Sequence, residues 1–258
     1  MTTMLGKNKN PVSRMLNSLA PNFSYGRALT QLFLHEPERR TTLTFTNVAS
    51  MYAPRGASGC QFEVSLYGET GELVAATDVL VPAYGSASVY LGDLIPGTLP
   101  RHGLAAARLR NAPRFHMGAR HLGAIAPFFY ALYHAPDMGS LALVHNQSGI
   151  ESDVHSDSHW HSNLLVPTKG LRALEAWQIN PTPVSAPSTL QLWRGEELLD
   201  ERPTTLAPMA SRQERFESRL FEASEQPVHI AVKGMTAANA KPLLFHHHAA
   251  GGFSASHA

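Results

Sequence analysis

Cysteine is almost missing from this chain: Cys60 stands alone among 258 residues. No intrachain disulfide can form, and four-cysteine zinc sites and CxxC redox motifs are excluded. Its setting, "ASGCQFEV" (57–64), is a loop running into an apolar strand, which suits a half-buried thiol better than a nucleophile. Charge is scarce as well. Asp, Glu, Lys and Arg make up 16 % of the residues, against roughly a quarter in typical soluble proteins. Either more surface than usual is buried, as in an oligomer, or the exposed faces are rich in Ser, Thr and Asn. The net charge of +1 provides no field with which to hold a nucleic acid.

Long apolar runs are absent too. No stretch approaches the ~20 apolar residues of a membrane-spanning helix, and residues 1–26 contain no apolar segment of signal-peptide length. A soluble, cytoplasmic protein is the expectation. There is also no G-x-S-x-G elbow, no H-E-x-x-H, no P-loop and no G-x-G-x-x-G.

What the chain does have is an internal repeat. The run "LTQLFLHEPERRTTLTFTN" (29–47) is matched by "HSNLLVPTKGLRALEAWQIN" (161–180). Each is a short apolar run, a polar turn, an alternating strand and a closing Asn. Next, "FEVSLYGETGELVAATDVLVPAYGSASVYL" (62–91) lies over "TLQLWRGEELLDERPTTLAPMASRQERFES" (189–218), with Leu66-Tyr67 above Leu192-Trp193 and Pro82 above Pro208. "LAAARLR" (104–110) then matches "VHIAVKG" (228–234), and "PFFYALYHAPDMGSLALVH" (127–145) matches "PLLFHHHAAGGFSASH" (242–257).

Short runs rich in Val, Leu, Tyr, Phe and Thr, separated by Gly, Pro, Asn and Glu turns, are the pattern of antiparallel strands. "YGETGEL" reads as a tight hairpin. Residues 211–224 also fit a helix face through Phe216 and Leu220, but their counterpart "SASVYLGDL" reads as strand then turn, so strand is assigned. The expected fold is all-β: two tandem immunoglobulin- or fibronectin-III-like antiparallel β-sandwich domains, each of about seven strands. The expected boundaries are an N-terminal arm at 1–23, a first sandwich at 24–147, a linker at 148–156 and a second sandwich at 157–258. One insertion, 111–126, separates the copies and carries Arg114, His116, Arg120 and His121.

Histidine is plentiful: fourteen in the chain, eight of them within 145–161 and 246–257. His145 and His257 are in register, each six residues beyond a hairpin glycine, Gly139 or Gly251. "DVHSDSHWHSN" (153–163) puts His155, Asp157, His159 and His161 on alternate positions. Residues two apart on a strand share a face about 6.5–7 Å apart, so His159 and His161 can converge on one ion. Three ligands along a straight strand cannot. The third ligand is expected from His145, at the tail of the first sandwich, with His155 or Asp157 joining if the linker bends. His257 is expected at the opposite pole, where it would serve a second chain. Imidazoles with at most one carboxylate suit Zn, Cu, Ni or Fe(II), with Zn the default by availability, and do not suit Ca or Mg.

Three functions remain open on these residues. The leading one is a binding or structural protein with a His-rich transition-metal site at the domain junction, acting with a protein partner or as a homo-oligomer. A metal-dependent enzyme of hydrolase or oxygenase type would use the same three-His site. A metal-free, self-associating scaffold needs no ion. A solvated linker and a proton switch below about pH 6.5 are further readings of the same histidines.

Overall fold

The computed structural model describes residues 28–47, 50, 58–94, 98–111, 129–149, 154–155, 159–162, 164–221, 224–234, 236–237 and 241–257. Nearly every regular element is a strand. The first half contains β1 (Leu29–Leu34), β2 (Arg40–Thr46), β3 (Cys60–Tyr67), β4 (Leu73–Val81), β5 (Ser86–Tyr90), a one-turn helix α1 (Leu91–Leu94), β6 (His102–Asn111), β7 (Phe129–His134), β8 (Leu141–His145) and β9 (Gln147–Gly149). The second contains β10 (Val154–His155), β11 (His159–His161), β12 (Leu171–Ile179), β13 (Ala186–Arg194), β14 (Glu197–Leu206), β15 (Ser211–Glu217), β16 (Val228–Gly234), β17 (Thr236–Ala237), β18 (Leu243–His248) and β19 (Phe253–His257). Residues 211–217 are strand, as expected, and only Ser218–Leu220 turn helically.

All strand pairings are antiparallel. The first half forms sheets in the orders β4-β3-β6-β1-β9 and β5-β2-β7-β8, and the second repeats them as β14-β13-β16-β11 and β15-β12-β18-β19. Eight strands of each half therefore follow one plan, one more than the seven expected. The repeat extends to fine detail. Ladder shifts fall at Leu66/Tyr67 and at Leu192/Trp193, the two positions aligned by sequence. The hairpin that follows is one residue longer in the first half, because Leu66 pairs with Ala75 where Leu192 pairs with Asp200. Pro82 therefore stands over Ala207 and not, as expected, over Pro208.

The closing asparagines do the same work in both copies. The Asn47 main-chain N–H donates to Gly85 O, and its side chain donates to Ser58 O and Pro82 O. Asn180 donates to Ala210 O, and its side chain to Val184, Leu206 and Ala207 carbonyls. Both are buried, and each amide satisfies loop carbonyls that would otherwise be stranded away from water. The turns they pin carry Tyr84 and Met209 at the same step, with φ of 57° and 59°. Left-handed backbone at a non-glycine residue is strained, and it persists where its surroundings over-determine it.

Alternation places the core. In β2, Thr41, Leu43 and Phe45 are buried while their neighbours are half-exposed. Phe45, Phe62 and Phe129 stack from both sheets of the first half, with ring centroids 5.0–5.4 Å apart. The second half has its own core of Leu174, Ala176, Leu190, Leu192, Phe216, Ile230 and Val232.

Strand β12 breaks the alternation because it is buried on both faces. Leu174 and Ala176 face the second half's core, whereas Trp177 and Ile179 join the core of the first. Likewise Leu244 of β18 goes one way, and Leu243 and Phe245 go the other. The outer face of the β15-β12-β18-β19 sheet thus closes the first half's core, in place of the end-to-end arrangement expected. One consequence corrects the expected position of His257. Edge strands β8 and β19 run side by side, tied at their starts by Phe253 N–H to Ser140 Oγ (3.3 Å) and at their ends by His257 Nε2 to His145 O (3.0 Å).

Candidate functional site

The junction between the halves is built around one buried carboxylate. Glu175, on β12, is completely buried. Its Oε1 accepts from Arg39 of the first half at 2.5 Å and from the Trp177 indole N–H. Its Oε2 accepts from His247 Nε2 at 2.9 Å, with the Arg215 guanidinium 3.7 Å away. Burial by itself would raise the pKa of this group. The hydrogen bond from His247 and the charge and hydrogen bond of Arg39 outweigh it and hold the carboxyl at about 2. Arg39 has further partners: Nε and Nη2 donate to Glu36, at 2.9 and 2.6 Å, and its guanidinium lies 4.9 Å over the Phe245 ring.

An ionised carboxylate only accepts hydrogen bonds. His247 must therefore carry a proton on Nε2. His247 also lines a cavity of about 480 Å³ between the halves, with Glu38, Asp137, Ser140, Arg172 and Phe253. On the far side of Trp177, the ring of His102 packs 4.7 Å away, with Nδ1 2.9 Å from Ser211 Oγ. Burial lowers the His102 pKa, against the pull of Glu69 and Glu36.

The repeat-related histidines form the second element. The His145 and His257 rings lie with centroids 4.6 Å apart at an interplanar angle of 45°. Main-chain carbonyls fix both tautomers. His145 Nδ1–H donates to Asn146 O at 2.8 Å, and His257 Nε2–H donates to His145 O at 3.0 Å. In its neutral form each ring would present one lone pair, on Nε2 of His145 and Nδ1 of His257. The latter nitrogen is buried and has no hydrogen-bond partner among the described residues. Burial lowers the His257 pKa, partly offset by its hydrogen bond to the His145 carbonyl. Leu141 and Leu143, which share the His145 face, are exposed at 56 % and 61 %. His145 therefore ends an open apolar face.

The described parts of the run 155–161 belong to two different sheets. His155 belongs to β10, paired with Thr236 of β17, whereas His159 and His161 belong to β11, opposite Lys233 and Ala231 of β16. Asp157 lies outside the described residues, as do Arg114, His116, Arg120 and His121. The side chains of His155, His159 and His161 are likewise outside them. Among the described residues, no group of three His, Cys, Asp or Glu side chains is placed to hold a metal ion. Cys60 is buried, and burial raises its pKa to about 11. Among the described residues no helix is long and apolar enough to cross a membrane.

Sequence reasoning passed over Glu175 and His247. A signal was present: Glu175 is the one acidic residue in "LRALEAWQI", and a carboxylate in a strand apolar on both faces must be buried with partners. The partner Arg39, however, is 136 residues away.

No protein-family model matches the chain, and no curated protein matches it. Among solved structures, a Bacteroides uniformis beta-glucuronidase aligns at 9 % identity over 89 % of this chain and 26 % of its own, with a TM-score of 0.17. A calcium-binding mutant of Bacteroides uniformis beta-glucuronidase 2 aligns at 9 % identity over 93 % of this chain and 28 % of its own, with a TM-score of 0.21. The chain spans about a quarter of the length of these enzymes. Superpositions this loose carry no inference about fold or activity.

Proposed function

We propose that the chain is a binding or structural protein of two tandem, immunoglobulin- or fibronectin-III-like β-sandwiches, with a transition-metal site at their junction. The doubled strand plan and the apolar core shared by each pair of sheets support the sandwich reading. A propeller-like ring of four blades describes the same four sheets. Propeller blades are commonly meanders of successive strands, and here each sheet takes strands in interleaved order, which favours sandwiches.

The observation that carries the metal reading is the His145–His257 pair. Metal-ligating imidazoles usually give their other N–H to a carbonyl or carboxylate, which fixes the tautomer and aims the lone pair. Both rings do this. Neutral imidazoles suit Zn, Cu, Ni or Fe(II), with Zn favoured by availability. In this reading His257 joins His145 within one chain, and the remaining ligands come from His155, Asp157, His159 and His161.

The test is metal analysis and zinc titration of the purified full chain, beside His145→Ala/His257→Ala and His159→Ala/His161→Ala double variants. One ion per chain is expected in the parent protein and none in the first variant. A parent chain that binds no zinc, or a first variant that binds as much as the parent, overturns the site.

A further inference from the structure

Equivalent edge strands in the two halves are defended very differently. In each half the last strand of the first-named sheet, β4 or β14, has an outer edge with no partner strand among the described residues. Such an edge offers a row of main-chain donors and acceptors to any extended chain, and natural proteins guard it with charge, proline or short length. Strand β14, "ELLDERPTTL", is guarded: Asp200, Glu201, Arg202 and Pro203 occupy its middle. Strand β4, "LVAATDVLV", is nine residues long with one charge, Asp78, and no proline. By the ladder partners of β3 and β13, the guarded quartet stands where β4 has Ala75, Ala76, Thr77 and Asp78. Leu73 and Leu80 of β4 are 60 % and 73 % exposed.

We infer that β4 is an association edge and that its partner is β4 of a second copy of this chain, paired antiparallel about Thr77. The strand is self-complementary in that register. Leu73 comes opposite Val81, Val74 opposite Leu80 and Ala75 opposite Val79, so apolar residues meet apolar residues at both ends. Asp78 comes opposite Ala76, so no charge directly faces its own copy, the arrangement that would cost most across a strand pair. The two five-stranded sheets then continue as one across a two-fold axis. Pairing of a patch with itself closes after two copies, and the guarded β14 gives no second edge of the same kind from which a filament could grow. This inference does not depend on a metal ion.

Sedimentation velocity of the full chain in EDTA, from about 1 to about 100 µM, tests it. A monomer–dimer equilibrium is expected. Ala76→Lys/Leu80→Lys is expected to shift it toward monomer by at least about tenfold in Kd, whereas Leu198→Lys on β14 leaves it unchanged. Both sets of positions are on outer strands, and a cooperative thermal melt confirms that each variant folds. Register is tested by oxidation. Thr77→Cys would face its own copy within the 4.4–6.8 Å Cα range of a disulfide and form a covalent dimer. Leu73→Cys, some eight residues out of register and so about 26 Å from its copy, would not. A parent chain that is monomeric throughout overturns the inference. So does a dimer that survives the lysines, or one that Thr77→Cys fails to cross-link.

Discussion

The outer faces of the β5-β2-β7-β8 and β15-β12-β18-β19 sheets occupy the same place in the two copies of the strand plan, yet one is open and the other is sealed. On β2 that face carries Thr42, Thr44 and Thr46, with Thr44 Oγ1 2.9 Å from Ser88 Oγ at the surface. On β12 it carries Glu175, Trp177 and Ile179, all buried against the first half. Hydroxyls there bond to neighbouring polar side chains, Thr44 to Ser88 and Thr42 to His134. A tryptophan and a carboxylate are stable in that place only if the apolar ring is covered and the charge finds partners. An identical topology thus supports two fates, chosen by three residues on alternate positions of one strand.

The largest change in that contrast is expected from Trp177→Ala, which empties the space between Glu175 and His102 and should cost about 3–5 kcal/mol. Urea denaturation of the full chain measures it. A loss below about 1 kcal/mol would mean that the sealed face contributes no more than the open one. Glu175→Gln follows. It takes one of two carboxylates from buried Arg39, leaving Glu36, and the loss of that charge-assisted hydrogen bond should cost about 1.5–3 kcal/mol. Thermal and urea midpoints should both fall.

Acid should separate the two faces of this sheet, since His246 pairs with Leu174 on the face toward the second half's core and Glu175 lies on the other. His246 is held at about 4, lowered by burial and then by the neighbouring His248 and His247, from a usual 6.5. Its unfolded form binds a proton first, so stability falls as pH drops from 6.5 toward 4. Glu175, at about 2 against a usual 4.5, keeps its full contribution above 4.5 and loses it as pH falls through 2. Urea midpoints measured from pH 7 to 2 should show both declines. Glu175→Gln should remove only the lower one, and its persistence would show that Glu175 is not the group responsible. The smallest effect is expected for Thr44→Ala on the open face, within about 0.5 kcal/mol; a larger loss would show that this face is also covered.

Much of the fold was legible in the sequence. The aligned pair Leu66-Tyr67 and Leu192-Trp193 proved to be matched ladder irregularities, and Asn47 and Asn180 proved to be matched loop anchors. Both signals are local: a turn, an alternation, a single side chain reaching nearby carbonyls. Of the candidate site, the register of His145 with His257 was visible but their contact was not. Considered alone, each half puts its last strand at its own edge, and nothing in either strand says that the two edges meet.

Period-two alternation and turn chemistry act between near neighbours, so the amino-acid sequence by itself determined that the chain is antiparallel β and that it is doubled. Which face of the second copy seals the first, and therefore which imidazoles touch, was decided only in the tertiary structure. His145 and His257 are separated by 112 residues, and Arg39 and Glu175 by 136. Contacts of that span follow from how whole apolar faces and one buried charge are covered together, a condition that no short stretch of sequence contains.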